Sequence, residues 1–267
     1  GLNPEESEIQ KDAWNSYRYN EGIYAIPETQ IFDMLFYRTD VFADLGISPP
    51  DDWDAFYEVL TILQQNNLKV GIPETDSNQP GISVGITTFN KFLYQSGRYF
   101  NEDLSATRFD EPEAVAAFER WCELYTRYSI PREVSFFNRF RTGEVAMGIQ
   151  PYTAYSQLMA AAPELRGLWA MAPIPGTLSD NGGINRSQTS SGTAAIMLSA
   201  CEKKGLGEEA YEFISWWTGS EAQAHYGNSL ESVMGVAARY TPANMEAFDK
   251  LGWSNEESAA IREQWNW

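Results

Sequence analysis

The chain has 267 residues, 43% hydrophobic and 21% charged, the composition of a soluble globular protein long enough for one large domain or two lobes. Its 19 Lys and Arg against 37 Asp and Glu leave a net charge of −18, which repels phosphate backbones and anionic lipid and disfavours both as partners. One histidine, His225, and two cysteines, Cys122 and Cys201, without metal-ligand spacing argue against zinc hydrolases, a histidine-based triad and a disulfide framework.

In chain order, the polar stretch 4–19 predicts a surface helix, and Gly22 to Pro27 a short strand closed by proline. Ile31 to Tyr37 is apolar almost throughout, as a buried strand would be. A short helix from Asp40 is expected to stop at Gly46. Asp51 and Asp52 can cap a helix whose Trp53, Phe56, Tyr57, Leu60 and Leu63 recur at helical spacing. Lys69 to Ile72 reads as a strand, 74–85 as a polar loop, and Thr88 to Gln95 as a helix. Glu113 to Arg127 predicts a helix with Val115, Phe118, Trp121, Cys122 and Tyr125 on its apolar side.

Phe136 to Thr142 reads as a helix, Val145 to Ile149 as a strand, and Pro151 as the first residue of another helix. Strands are expected at Leu168 to Ala172 and Thr193 to Leu198, with a polar loop over 176–192 between them. Helices follow at Glu208 to Trp217, Ser220 to Tyr226, 241–250 and 255–265. Strands alternating with helices indicate an α/β fold with a largely parallel sheet. No apolar run of about 18 residues could span a membrane, and both ends read as cuts in a longer chain.

Catalytic readings find little support. Glu28, Asp33, Glu74 and Asp76 lie near predicted strand ends, but no spacing pairs them as glycosidase carboxylates. Ser190-Ser191-Gly192 lacks a nucleophile elbow, and no Gly-rich phosphate loop is present. The reading is a binding protein, not an enzyme, without cofactor or metal; an oxygen-ligand calcium site at 74–80 or 176–185 stays open.

Three stretches in order carry a resemblance. The first runs from Tyr24-Ala-Ile-Pro27 through Leu35-Phe-Tyr37 to Pro50-Asp-Asp-Trp53. The second joins Phe140-Arg-Thr-Gly143-Glu-Val-Ala146 and Pro151-Tyr152 to Trp169-Ala-Met-Ala-Pro173. The third is Gly192-Thr-Ala-Ala-Ile-Met-Leu198 with Ala210-Tyr-Glu-Phe213 and Ser220-Glu-Ala-Gln. Together they resemble the extracellular sugar-type solute-binding proteins of bacterial ABC importers, the maltodextrin-binding-protein-like group.

The resemblance implies a periplasmic-binding-protein-like α/β fold, mostly the C-terminal lobe with hinge strands and the first lobe largely absent. On that basis residues 1–38 are a helix with crossing strands and 39–267 the second lobe. It further implies a monomer that captures a carbohydrate, an oligosaccharide, and passes it to a membrane permease. The protein would be extracellular and lipid-anchored, from a Gram-positive bacterium. Two other readings stand beside it: a sensory module for a membrane receptor, and a carbohydrate-active enzyme.

The same resemblance suggests ligand-binding residues. Tyr152 falls where the family places a stacking aromatic, with Tyr155 beside it. Glu28, Thr29 and Gln30 follow the crossing strand at the pocket floor. Thr88 and Asn90 open a helix that faces ligand elsewhere in the family, and Ser232 and Met234 lie in a loop that approaches the cleft.

Overall fold

A computed structural model of the chain describes residues 8–20, 22–72, 85–179 and 182–267. Two compact units share the chain. One comprises Gly1–Phe32, Tyr155–Ala160 and Ser190–Ser258; the other comprises Asp33–Ala154, Ala161–Thr189 and Ala259–Trp267. The sequence suggests a single break after residue 38. The late segment 190–258 instead joins the residues before Phe32, because long-range backbone pairing described below ties them together.

In the first unit, Lys11–Tyr17 is a 3-10 helix, shorter than the helix expected over 4–19, whose first residues lie outside those described. The Gln10 side-chain oxygen accepts from Asp12 N and Ala13 N, satisfying donors that open a helix. β1 (Arg18–Tyr19) pairs antiparallel with β2 (Gly22–Ile23), and β3 (Ile26–Pro27) follows, so the expected strand over 22–27 is two short pieces. Trp14, Ile9, Ile26 and Ala243 form this unit's small core, with Tyr211 and Ile214 packed against it.

The second unit is built on a four-stranded sheet. β4 (Asp33–Arg38) leads into α1 (Thr39–Leu45), which stops at Gly46. Gly46 has φ 65°, a left-handed stop that glycine adopts without strain. α2 (Trp53–Gln65) begins where Asp52 Oδ1 accepts from Ala55 N at 2.8 Å, and it buries Trp53, Phe56, Tyr57, Leu60 and Leu63 as the spacing predicts. β5 (Lys69–Gly71), α3 (Gly85–Ser96), α4 (Pro112–Thr126), α5 (Phe136–Thr142) and β6 (Val145–Pro151) come next. α6 (Ala154–Ala161), whose residues Tyr155–Ala160 belong to the first unit, β7 (Trp169–Ala172) and the hairpin of β8 (Thr177–Leu178) and β9 (Ile184–Asn185) follow, the hairpin occupying what reads as loop.

Sheet order is β5-β6-β4-β7. β4 runs antiparallel to both β6 and β7, and only β5 and β6 are parallel, so the sheet is mainly antiparallel rather than largely parallel. An apolar run reports burial on both faces, not direction: Met34, Leu35 and Phe36 of β4 are fully buried in an antiparallel setting. Trp53 stacks on Phe92 at 4.1 Å, and its Nε1 donates to Gln95 Oε1 at 2.7 Å, which lets a buried indole keep its hydrogen bond.

Two local expectations change. α4 buries Ala114, Ala117 and Leu124, while Val115 and Phe118 are exposed. Trp121 and Tyr125 still pack against the core, and Phe118 and Trp121 meet Phe89 of α3, so the most buried stripe is shifted from the aromatic one while the two overlap. Pro151 ends β6, paired with Asp33, and does not open α6. A strand end tolerates the missing N–H as well as a helix start does.

The chain then returns to the first unit. β10 (Ala194–Ala195) pairs antiparallel with β3, shorter than the strand expected over 193–198. α7 (Ser199–Lys203), α8 (Gly207–Thr218), α9 (Ser220–Met234) and α10 (Met245–Asp249) follow, and α11 (Asn255–Trp265) starts in this unit and belongs to the second from Ala259 onward. α9 runs on to Gly235, well past Tyr226; α10 starts late because Pro242 precedes it and Asn244 caps it, accepting from Ala247 N. Among the described residues no helix is long and apolar enough to cross a membrane.

Asp52→Ala removes the α2 cap and is expected to lower stability by about 1 kcal/mol, read as a lower urea midpoint; Asp52→Asn, which can still accept, should restore most of it.

Candidate functional site

In the first unit, residues 28–31 continue past β3 as a segment hydrogen-bonded on both sides. Glu28 N and Thr29 N donate to Thr193 O, and Ile31 exchanges backbone bonds with Ser191. On the opposite edge Gln30 N donates to Thr241 O, and Ala243 N donates to Glu28 O. Gly192 permits the first contact: a Cβ there would lie 2.0 Å from Thr29 O, so no larger residue fits without moving backbone.

This pairing sets the side chains. Glu28 Oε1 accepts from Trp217 Nε1 at 2.8 Å, and Oε2 accepts from Thr193 Oγ1 at 3.0 Å. Burial raises the Tyr240 phenol well above its ordinary range, and the neighbouring Glu28 charge and hydrogen bond push it the same way. Thr29 Oγ1 lies 2.8 Å from Thr193 Oγ1 and accepts from Thr193 N at 2.9 Å. Because Thr193 gives its hydroxyl proton to a carboxylate, Thr29 must be the donor between the two hydroxyls. Both protons are therefore committed, and each hydroxyl keeps a lone pair toward solvent. Gln30 is buried, its amide donating to Ser190 Oγ at 3.1 Å. Beside this polar group run the rings of Trp217, Tyr226 and Tyr240, with centroids 5.1 and 5.2 Å apart.

A second cluster in this unit centres on Arg239. Its Nε donates to Glu231 Oε2 at 2.9 Å and its Nη2 to Glu231 Oε1, a two-point fork. The guanidinium also lies over Trp253 at 4.7 Å and Tyr155 at 5.3 Å. Tyr155 is buried within this cage, and burial, then the Glu257 charge, push its phenol up to about 12. Ser232 and Met234 lie in the last turn of α9, not in a loop: the helix continues until Gly235 adopts φ 76°. The Ser232 hydroxyl donates to Ser229 O, and Met234 is exposed.

In the second unit, Tyr152 is 1% exposed in the turn after β6. Its neighbour Pro151 pairs with Asp33, whose Oδ2 accepts from Lys91 Nζ at 2.6 Å. Lys91 is buried on α3, and the Gln188 amide brackets the Asp33 backbone by accepting from its N and donating to its O. Thr88 is buried one turn before Lys91, and the Asn90 side chain accepts from Tyr99 OH. Since α3 starts at Gly85, both lie inside the helix rather than at its start.

The structure thus gathers Glu28, Thr29 and Gln30 on one doubly bonded segment, and Tyr155 with the end of α9 around Arg239. Tyr152, Thr88 and Asn90 lie near the Asp33–Lys91 pair through the elements that carry them. Trp217, Thr193, Tyr240 and Arg239 escape sequence reasoning, because only the long-range pairing of residues 28–31 and the folding back of α9 bring them in. Glu74, Asp76 and the 74–80 loop lie outside the described residues; among those described, no group of His, Cys, Asp and Glu could hold a metal ion.

The family described as bacterial extracellular solute-binding protein matches residues 2–224. No curated protein matches the chain in sequence. Among solved structures, an ABC transporter solute-binding protein from Thermotoga lettingae bound with alpha-D-tagatose is 20% identical, with TM-score 0.68, over 98% of this chain and 67% of that one. The sugar-binding protein MalE from Xanthomonas citri is 16% identical with TM-score 0.76, over 99% and 67%. UgpB from Mycobacterium tuberculosis in complex with glycerophosphocholine is 18% identical with TM-score 0.66, over 97% and 60%. The chain spans about two thirds of the length of such proteins.

Glu231→Gln leaves the Arg239 charge buried with a weaker partner and is expected to cost about 3 kcal/mol in urea unfolding. The double variant Glu231→Leu, Arg239→Met should recover most of that loss, because neither charge is then stranded.

Proposed function

We propose that this chain, which belongs to the bacterial extracellular solute-binding protein family, captures a carbohydrate and delivers it to the membrane permease of an ABC importer. The observation that carries this reading is the family match over residues 2–224. The residues of the first unit suit such a ligand. The Thr29 and Thr193 hydroxyls offer acceptor lone pairs, and a sugar is rich in O–H donors. The Trp217 and Tyr226 rings supply amphipathic faces of the kind that pack on a pyranose.

In this reading Thr29 and Thr193 meet ligand hydroxyls, while Glu28 and Gln30 hold the segment that presents them. Tyr152, whose ring is buried, supports the surface of the second unit from beneath with Thr88 and Asn90, while in the first unit Ser232 and Met234 border the ligand. Tyr155 acts through Arg239. The protein binds without turning its ligand over, as a monomer, and a lipid anchor on the Gram-positive cell surface keeps it near the permease.

The test is thermal unfolding of the full-length protein against a panel of oligosaccharides. A ligand at a hundred times its Kd should add about 2.7 kcal/mol of stability. Thr29→Val and Thr193→Val, which keep the side-chain shape and remove the hydroxyl, should each lose most of the melting-temperature shift. A shift with a phosphodiester such as glycerophosphocholine and with no sugar would overturn the ligand class; no shift with any solute would overturn the reading.

A further inference from the structure

The Glu28 carboxylate is well hydrogen-bonded but carries its charge alone. Trp217 Nε1 and Thr193 Oγ1 donate to it at 2.8 and 3.0 Å, and the Tyr240 hydroxyl is its third partner. All three are neutral. Among the described residues no Lys or Arg forms an ion pair with Glu28: Arg239, next in the chain to Tyr240, is held by Glu231, and Lys250 by Glu221. An ionised carboxylate has about four lone-pair sites, so one more donor can be received.

Around it the donors are committed and acceptors are left over. The Thr29 and Thr193 hydroxyl protons go to Thr193 and Glu28, and each oxygen keeps a lone pair. Gln223, fully buried on α9, turns its amide nitrogen to Glu28 O and Tyr240 OH, and its Oε1 meets no donor among the described residues. The rings of Trp217, Tyr226 and Tyr240 run alongside, successive planes inclined by 71° and 84°. Tyr226 is 41% exposed, and the half-buried Trp217 and Tyr240 also keep part of their surface open to water.

A neutral polyol could fill these lone pairs but would not answer the charge. Once a ligand covers Glu28 the carboxylate loses water, and a desolvated charge without an opposite charge is costly. An ammonium group supplies what is missing: it has N–H donors and no acceptor, and its positive charge is attracted to aromatic faces. The net charge of −18 draws cations toward the protein as well. We propose that the solute carries a protonated primary amine, as an amino sugar does. Glu28 receives that group beside the Trp217 and Tyr226 rings, while Thr29 and Thr193 take neighbouring hydroxyls. The inference rests on the solute-binding reading above and names the charged group within its ligand.

Titration calorimetry of the full-length protein tests it, at mildly acidic pH where the amine is protonated. The probes are a glucosamine trimer, its N-acetylated form and cellotriose, which share one linkage and differ in a single ring substituent, with spermidine as an amine without a sugar. The glucosamine trimer is expected to bind at least about tenfold more tightly than either neutral trimer, by a margin that shrinks as salt is added. Glu28→Gln keeps an acceptor for Trp217 but removes the charge, and should erase that margin. Tyr226→Leu leaves the Glu28 bonds in place and should narrow it by about threefold. A neutral trimer that binds as tightly as the amine overturns the ammonium and leaves carbohydrate capture standing. Spermidine bound with no sugar keeps the ammonium and overturns the carbohydrate. If neither amine binds, or if the margin survives both substitutions, the proposal fails.

Discussion

Residues 28–31 carry hydrogen bonds on both edges, and the first unit depends on that double pairing. One edge takes residues 190–193 and the other takes 241–243, segments with little else to place them against each other. Each bond is worth only about 1 kcal/mol net, but leaving buried ones unmade costs more, so the three segments order together or not at all. The pairing also fixes the Glu28 side chain, which in turn positions the Trp217 indole and the Thr193 hydroxyl.

The second unit solves a different problem. Its sheet is apolar on both faces, and its charges sit at strand ends: Asp33 where β4 begins, Arg38 where β4 finishes and Lys69 where β5 begins. The Asp33–Lys91 pair gives the buried ammonium an acceptor at 2.6 Å, and Gln188 braces the same residue from its backbone side. A buried pair of this kind contributes little net stability, but it fixes which residues meet at that end of the sheet.

Much of the local structure was legible. Asp52 before Trp53 and the left-handed stop at Gly46 are signals that act within one turn, and the helices they bound are where the spacing puts them. What depends on distant chain was not legible. Strand direction, the return of 190–258 to the first residues, and the role of Pro151 at a strand end all follow from pairing that leaves no local trace. On α4 the spacing marks the apolar side but not its depth: Trp121 and Tyr125 pack against the core as it predicts, whereas Val115 and Phe118 are exposed and Ala114, Ala117 and Leu124 take the most buried positions. The same limit applies to the site. Glu28, Thr29 and Gln30 stand out as polar residues between apolar strands, but nothing near Thr193, Trp217 or Arg239 in sequence announces their partners.

The ordered hydroxyls of Thr29 and Thr193 have a consequence of their own. With each proton already spent, the first on Thr193 and the second on Glu28, the pair can receive hydrogen bonds from solution but cannot give them. Such a surface has a chemical polarity. A free alcohol can satisfy it, whereas an ether oxygen in the same place brings lone pairs against lone pairs. A hydroxyl and its O-methyl ether carry the same charge, so at such a surface they would differ only by the donor that methylation removes.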